Sequence, residues 1–246
     1  MRNFDFLAKH YNAMTGFPGR IDTLTASIRP WVEEWNVKTA LDAGCGGGAL
    51  MFALDNVGVT PVGLDLSEPM LRLAMQNARQ RQKAFQFCGA PHSSAGSIFP
   101  NAFDAVFCLG NAVIGEPDDA GMTASLAGLR ESLRPGGHIL IQILNLTPFF
   151  LGLKTVIARR TLDGYDYLRY AVPNGDRLTF SALVIGRDND ALDVQTSSWE
   201  RWEHDRLVTC AWNAGFDSVE SRGSIDKTPF DPRKSTDLVI AARRPT

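Results

Sequence analysis

The sequence predicts an α/β fold, a layered sandwich around a mostly parallel sheet, with a smaller antiparallel sheet inserted late in the chain. Three observations carry it. Strand-like Thr39-Ala40-Leu41-Asp42 runs into the cluster Gly44-Cys45-Gly46-Gly47-Gly48 and then into a helical apolar pattern. A second strand-like run, Thr60-Pro61-Val62-Gly63-Leu64-Asp65, also ends on an acid, 21 residues after Gly44, and leads into the helix start Ser67-Glu68-Pro69. The apolar run Ala105–Leu109, suited to a buried parallel strand, and the strand-like His138–Asn145 are then separated by a helical segment.

The 246 residues suffice for one large domain or one domain with an insertion. Net charge is -2 and no basic run of five occurs, which disfavours nucleic acid as a partner. No apolar run approaches the length of a membrane span. Met1-Arg2-Asn3-Phe4-Asp5 lacks the apolar core of a signal peptide, so a cytoplasmic protein is expected. Cys45, Cys88, Cys108 and Cys210 are scattered without a C-x-x-C and read as reduced thiols. No His/Asp/Glu cluster has metal spacing, so no metal is expected.

Phe4, Leu7, Tyr11 and Met14 stand at helical spacing, and Gly16-Phe17-Pro18-Gly19 ends that pattern. A second amphipathic segment runs from about Arg20 to Trp35, with Pro30 inside it as an expected kink. Its aromatics suit packing on the sheet or, more sharply, a lid, and residues 1–36 are assigned as an N-terminal helical lid. A helix runs from Gly48 to about Asn56, and the helix after Ser67 buries Met70, Leu71, Ala74 and Ala78. Strand three, Ala84–Cys88, ends in Gly89-Ala90-Pro91-His92, and strand four ends at Leu109 before Gly110-Asn111-Ala112. Ligands of open α/β sheets bind outside the carboxyl ends of the strands, which brings Leu109 and Asn111 into the site. A helix from Asp118 to Leu133 stops at Arg134-Pro135-Gly136-Gly137, before strand five at His138–Asn145.

After Asn145 the pattern changes. Thr147–Thr161 reads as a helix, and Tyr165–Val172, Arg177–Ile185 and Leu192–Trp202 read as strands, parted by Pro173-Asn174-Gly175-Asp176 and Arg187-Asp188-Asn189-Asp190. Residues 146–203 are assigned as an antiparallel cap, which either shapes a pocket or serves as a dimer interface. The core is 37–145 and 204–246, closed by a helix at Asp205–Ala214 and strands at Phe216–Ser221 and Ser235–Arg243.

The glycine turn admits two readings. Gly44, Gly46 and Ala49 satisfy the dinucleotide fingerprint G-x-G-x-x-A. Asp42, Gly44, Gly46 and Gly48 satisfy D-x-G-x-G-x-G. A carboxylate at the first position repels a diphosphate and attracts an ammonium. S-adenosylmethionine (SAM) offers an ammonium and a sulfonium and no phosphate. With the acid of strand two and the Leu-Arg-Pro-Gly-Gly turn, residues 38–145 resemble a class I SAM-dependent methyltransferase. Cys108-Leu109-Gly110-Asn111 resembles the glycine N-methyltransferase-like, small-molecule group.

The resemblance implies a Rossmann-like, seven-stranded sheet whose last strand is antiparallel. It implies that Gly44, Cys45, Gly46 and Gly48 wrap the methionine and ribose of SAM, and that Arg20 pairs with the methionine carboxylate. Asp42 then meets the ammonium, Asp65 the ribose, and Leu66 and Met70 sandwich the adenine or simply pack helix on sheet. Tyr11 binds cofactor or closes the site. The family often has Gly-Asp-Ala where this chain has Gly89-Ala90-Pro91, leaving the Ala90 backbone or His92 to replace the acid.

Methyl transfer from a sulfonium is an in-line displacement, and alignment alone can supply roughly 7–11 kcal/mol. A general base is optional, and His204, His10 and Asn111 are the candidates for a catalytic role. The expected function is SAM-dependent methylation of a small molecule at nitrogen or oxygen, with S-adenosylhomocysteine (SAH) as product. An NAD(P)-dependent oxidoreductase and a non-catalytic SAM-binding protein are the alternatives. The expected partner is a small-molecule acceptor, with a homodimer also possible.

Overall fold

The computed structural model describes residues 8–188 and 191–246. Phe4 and Leu7 of the first expected helix, and Asn189-Asp190 of the last expected cap turn, lie outside the described residues. The chain opens with α1 (Ala8–Thr15) and α2 (Arg20–Glu34). It then alternates through β1 (Thr39–Ala43), α3 (Ala49–Asn56), β2 (Thr60–Asp65), α4 (Glu68–Gln80), β3 (Gln86–Gly89), α5 (Ala95–Ile98), β4 (Phe103–Cys108), α6 (Asp119–Ser132) and β5 (Leu133–Leu144). After α7 (Thr147–Phe150) come β6 (Val156–Leu162), β7 (Tyr165–Asn174), β8 (Arg177–Gly186) and β9 (Leu192–Glu200). The chain closes with α8 (His204–Asn213), β10 (Asp217–Arg222) and β11 (Asp237–Arg243).

The main sheet has seven strands in the order β10-β11-β5-β4-β1-β2-β3. Its pairings are parallel except for those of β11, which runs antiparallel between β5 and β10. The central strands β1, β4, β5 and β11 are buried on both faces, whereas the edge strands β3 and β10 are not. Leu41, Val106, Ile139 and Ile141 meet α6 and α8 through Met122, Leu126, Leu207 and Ala211. Ala40, Phe107, Leu140 and Val239 meet α2 and α3 through Ile28, Trp31, Leu50 and Leu54. Each fully buried side chain of this size contributes about 1.5–3 kcal/mol, so the alternation of the two faces fixes the register. α2 runs through Pro30 without interruption and belongs to a helix layer through Ile28, Trp31 and Val32. Ser67 and Asp118 cap α4 and α6, accepting from the Met70 and Gly121 amides.

β6-β7-β8-β9 form a separate antiparallel sheet. Here the structure corrects the reading of residues 147–161 as a helix. Helix persists only to Phe150; Gly152 then adopts φ +70, and Val156–Leu162 becomes β6, paired from Val156–Tyr170 to Leu162–Tyr165. The apolar-basic mixture that suggested a helix is that of an edge strand, which charged residues such as Arg159 shield from further pairing.

Candidate active site

The glycine turn lies between β1 and α3, at the carboxyl ends of the parallel strands. Gly44 N and Cys45 N donate to Leu64 O at 2.7 and 3.0 Å, which ties the turn to the end of β2. Asp65, the last residue of β2, accepts from Gly46 N at 2.8 Å and from Ser67 N at 2.9 Å. Gly44 and Gly46 adopt φ +79 and +52, where a side chain is strained. A Cβ on Gly44 would collide with that of Ala112, and one on Gly46 would stand 2.9 Å from Tyr11 Oη. The Cys45 side chain is buried toward Gly63, leaving only its backbone for the turn.

Asp42 is 3% exposed, and its Oδ2 has no hydrogen-bond partner. Burial, followed by the charge of Asp65, raises its pKa to about 8, against the opposing pull of Arg20. An unpaired buried carboxylate is costly and is relieved by a cation. That is the test of fit for SAM: the turn holds an orphaned acid that the cofactor's ammonium would satisfy, and a diphosphate would aggravate the same orphan.

α1 covers the turn. Tyr11 is partly buried, its desolvation raises its pKa, and it lies within electrostatic reach of Arg20, Asp65, Arg169 and Asp42. Asn12 Nδ2 donates to Asn77 Oδ1 at 2.9 Å, and Asn77 Nδ2 donates to Gly47 O at 2.8 Å, so α1, α4 and the turn share one polar link. At the next corner Leu66 is 43% exposed, whereas Met70 is fully buried in the core. Gly89 and Pro91 are exposed and flank buried Ala90, whose amide donates to Asp65 O at 3.2 Å. Leu109 is half-buried at the end of β4. Asn111, at φ +71, donates its amide to Gln142 O at 3.1 Å and accepts from Leu144 N at 2.7 Å through Oδ1.

Comparison with known proteins agrees with this geometry. Residues 40–137 match the model of a methyltransferase domain. A ubiquinone biosynthesis O-methyltransferase from Thiobacillus denitrificans is 34% identical over 141 residues, covering 55% of this chain and 59% of the relative. Another, from Methylococcus capsulatus, is 30% identical over 179 residues, covering 73% and 66%. The matches thus span only about three fifths to two thirds of these curated relatives. A SAM-dependent methyltransferase of known structure, from Clostridium acetobutylicum, superposes with TM-score 0.81 at 14% identity, covering 98% of both chains. The chain belongs to the class I SAM-dependent methyltransferases.

In this methyltransferase the sequence-derived candidates separate into two groups. Tyr11, Arg20, Asp42 and Asp65 lie around the turn with Gly44, Cys45, Gly46 and Gly48. His10 faces the cap, with Tyr165 and Tyr167 at ring distances of 5.5 and 5.9 Å and Asp193 Oδ2 at 3.5 Å. Burial, then Lys9, lowers its pKa. His204 begins α8, with Nε2 2.7 Å from Ser221 Oγ on β10 and Nδ1 2.6 Å from Asp205 Oδ1. Three strands, β11, β5 and β4, separate β10 from β1. His204 lines an open cleft of about 910 Å³ with Thr147, Glu203 and Phe230.

His92, expected near adenine, has Nε2 3.6 Å from where a Gly44 Cβ would stand, and burial lowers its pKa to about 4, so it is neutral at the turn. Three residues near the methyltransferase site escaped sequence reasoning: Asn12 and Asn77, which tie α1 to the turn, and Arg169 of β7. The polar periodicity of a helix or strand carries no sign of a partner so far away in the chain. Among the described residues no group of His, Cys, Asp and Glu could hold a metal ion, and no helix is long and apolar enough to cross a membrane.

Proposed function

We propose that this chain transfers the methyl group of SAM to a nitrogen or oxygen of a small molecule. The observation that carries it is the buried, unpartnered carboxylate of Asp42 at the turn, a receptor for the methionine ammonium. Arg20 takes the methionine carboxylate and Asp65 the ribose hydroxyls. Leu66, Met70, Gly89, Ala90 and Pro91 form the adenine corner, of which exposed Leu66 offers the contact surface. Bound SAM supplies an electrophilic methyl on a sulfonium, so that displacement leaves neutral SAH. Tyr11 and α1 keep water from the turn, Leu109 and Asn111 flank the methyl position, and the acceptor's proton leaves to solvent.

The proposed organisation is a lid within residues 1–36, a core of 37–145 and 204–246, and a cap of 146–203 that shapes the acceptor pocket. Burial of Tyr167, Ala182 and Val184 beneath α1 supports the cap's role. The cap's other face exposes Val172, Ile185, Leu192 and Val194, which supports a homodimer, detectable by light scattering as twice the monomer mass. The free thiols of Cys45, Cys108 and Cys210 support a reducing compartment such as the cytoplasm. The deciding test is calorimetry: SAM and SAH bind and NAD(P) does not, and SAH raises Tm. Tight SAM binding without methyl transfer to any amine or phenol would leave a binding protein instead of an enzyme.

A further inference from the structure

The inner face of the cap holds a polar row that the cofactor does not use. Arg169 pairs with Ala182, and Ala182 pairs with Gln195, so the three side chains share one face. Tyr167, Ala171 and Val184 lie on that face and are buried, with Met14 and Tyr11 of α1 packed against the same cluster. Two atoms in the row are buried without a hydrogen-bond partner: Arg169 Nε and Gln195 Oε1, with Gln195 only 9% exposed. Tyr11 joins this face to the turn, since it packs in the cap cluster and its hydroxyl reaches Gly46.

The charges near Arg169 are of its own sign. Burial lowers its pKa, and so do Arg20 and Arg160, while Tyr11 alone opposes them. Among the described residues no carboxylate forms an ion pair with it. The cofactor brings one carboxylate to two arginines, and Arg20, at the start of α2, takes it in the proposed reading. The second guanidinium, on the inner face of the cap, is then left with no anion to bind.

We propose that Arg169 is the anchor of the acceptor, that the acceptor carries a carboxylate bound by its guanidinium, and that Gln195 Oε1 accepts from an N–H or O–H of the same molecule. Arg169 and Gln195 stand two strands apart, roughly 9–10 Å of sheet. A small amino or hydroxy acid fits that span. This inference rests on the methyl-transfer reading.

The test uses the full chain loaded with SAH and matched probes: anthranilate, salicylate and β-alanine, each against its own amide, with phosphoethanolamine against ethanolamine as the phosphate arm. At least one carboxylate is expected to bind tenfold or more tighter than its amide by calorimetry, and to be methylated with SAM at a correspondingly lower KM. Arg169→Gln is expected to erase that preference while SAH binds within twofold of wild type. Arg169→Lys, which keeps the charge but not the forked geometry, is expected to restore part of it. Equal binding of acids and amides, preference for the phosphate, or no Arg169-dependent anion binding up to tens of millimolar overturns the proposal. An Arg169→Gln protein that is folded by circular dichroism yet loses SAH affinity also overturns it, by giving Arg169 to the cofactor. Failure of wild-type protein to bind SAH would instead remove the cofactor reading beneath it.

Discussion

The glycine turn and the inner face of the cap meet across Tyr11, yet they are built to recognise in different ways. The turn acts through backbone: Gly44 and Cys45 are tied to Leu64, Gly46 to Asp65, and an orphaned acid, Asp42, sits under them near the end of a buried strand. The cap acts through side chains alone, with Arg169 and Gln195 projecting from a regular antiparallel sheet whose backbone is otherwise paired. A backbone site fixes spacing in the sequence, because each residue must have a particular φ or a particular length of side chain. A side-chain site on a sheet asks only for the correct face, which half of all positions satisfy. The difference explains how one family keeps its cofactor while its acceptors vary.

Filling the turn should do the most damage. Gly46→Val places a branched side chain at φ +52, against the Tyr11 hydroxyl. Strain of this kind costs about 1–3 kcal/mol of stability. SAM binding should fall below detection by calorimetry while circular dichroism stays native. Normal binding would mean that the cofactor does not approach the backbone there.

Asp42→Asn comes next. Removing one partner of a buried charged contact costs about 2–5 kcal/mol, so Kd for SAM should rise ~30-fold or more. If the turn held a diphosphate, the same variant would tighten NAD(P) binding instead. The group also predicts a pH dependence. Its carboxyl titrates near 3.8 when unperturbed and near 8 in the ligand-free fold. The folded state therefore holds the extra proton between those limits, and the stability this group contributes is lost as pH rises through the window. A bound ammonium offsets the loss, so the Tm gain from SAH should grow from about pH 6 to about pH 8. Asn at this position should flatten both trends. A wild-type Tm gain that falls over that range would place the ammonium elsewhere.

The same contrast governs what could be read in the sequence. The turn, the acid ending β2 and the Ser67 cap were legible, since each rests on a local rule about glycine, charge or capping, whereas the antiparallel closing strand was expected only from the family resemblance. The centres of β4 and β5 were legible because Ala105–Cys108 and Ile139–Ile141 are apolar on both faces, but β5 begins at Leu133, five residues before its expected start at His138, since the strand takes in Arg134–Gly137. β6 was not legible: an exposed edge strand has no apolar period to distinguish it from the short helix before it. Arg169 and Gln195 were invisible for a related reason. Their burial comes from α1, some 150 residues or more away in the chain, and alternation along β7 says only that Arg169 is opposite in facing to Leu168 and Tyr170. His92 was expected near adenine from its place after β3, and the short helical turn there sets its ring beside Gly44.

Asp65→Ala sharpens the comparison at smaller scale. It removes the proposed ribose acceptor and frees the amides of Gly46 and Ser67 together. Hydrogen bonds to a charged group are worth about 1.5–3 kcal/mol, so SAM affinity should fall roughly 10- to 150-fold. Asp65→Asn, which still accepts through one oxygen, should lose less. Equal losses in the two variants would assign the effect to charge and not to acceptor geometry.

The smallest effect is expected at His204. It was a candidate base on sequence grounds, being a histidine at the junction of cap and core. The structure satisfies both ring nitrogens locally, through Asp205 and Ser221, and stacks the ring 5.4 Å from Phe230 at the β10 edge. Successive strands lie about 4.8 Å apart, so the four steps from β10 to β1 put this ring roughly 19 Å from the strand that carries Asp42. Proton transfer needs direct contact or one bridging water. His204→Ala should therefore change kcat less than twofold between about pH 6 and pH 8, with stability lowered by about 1 kcal/mol for the lost Ser221 contact. A tenfold fall in kcat with KM unchanged would show that the acceptor reaches the cleft beside α8, and the site would then have to be drawn across the whole carboxyl edge of the sheet.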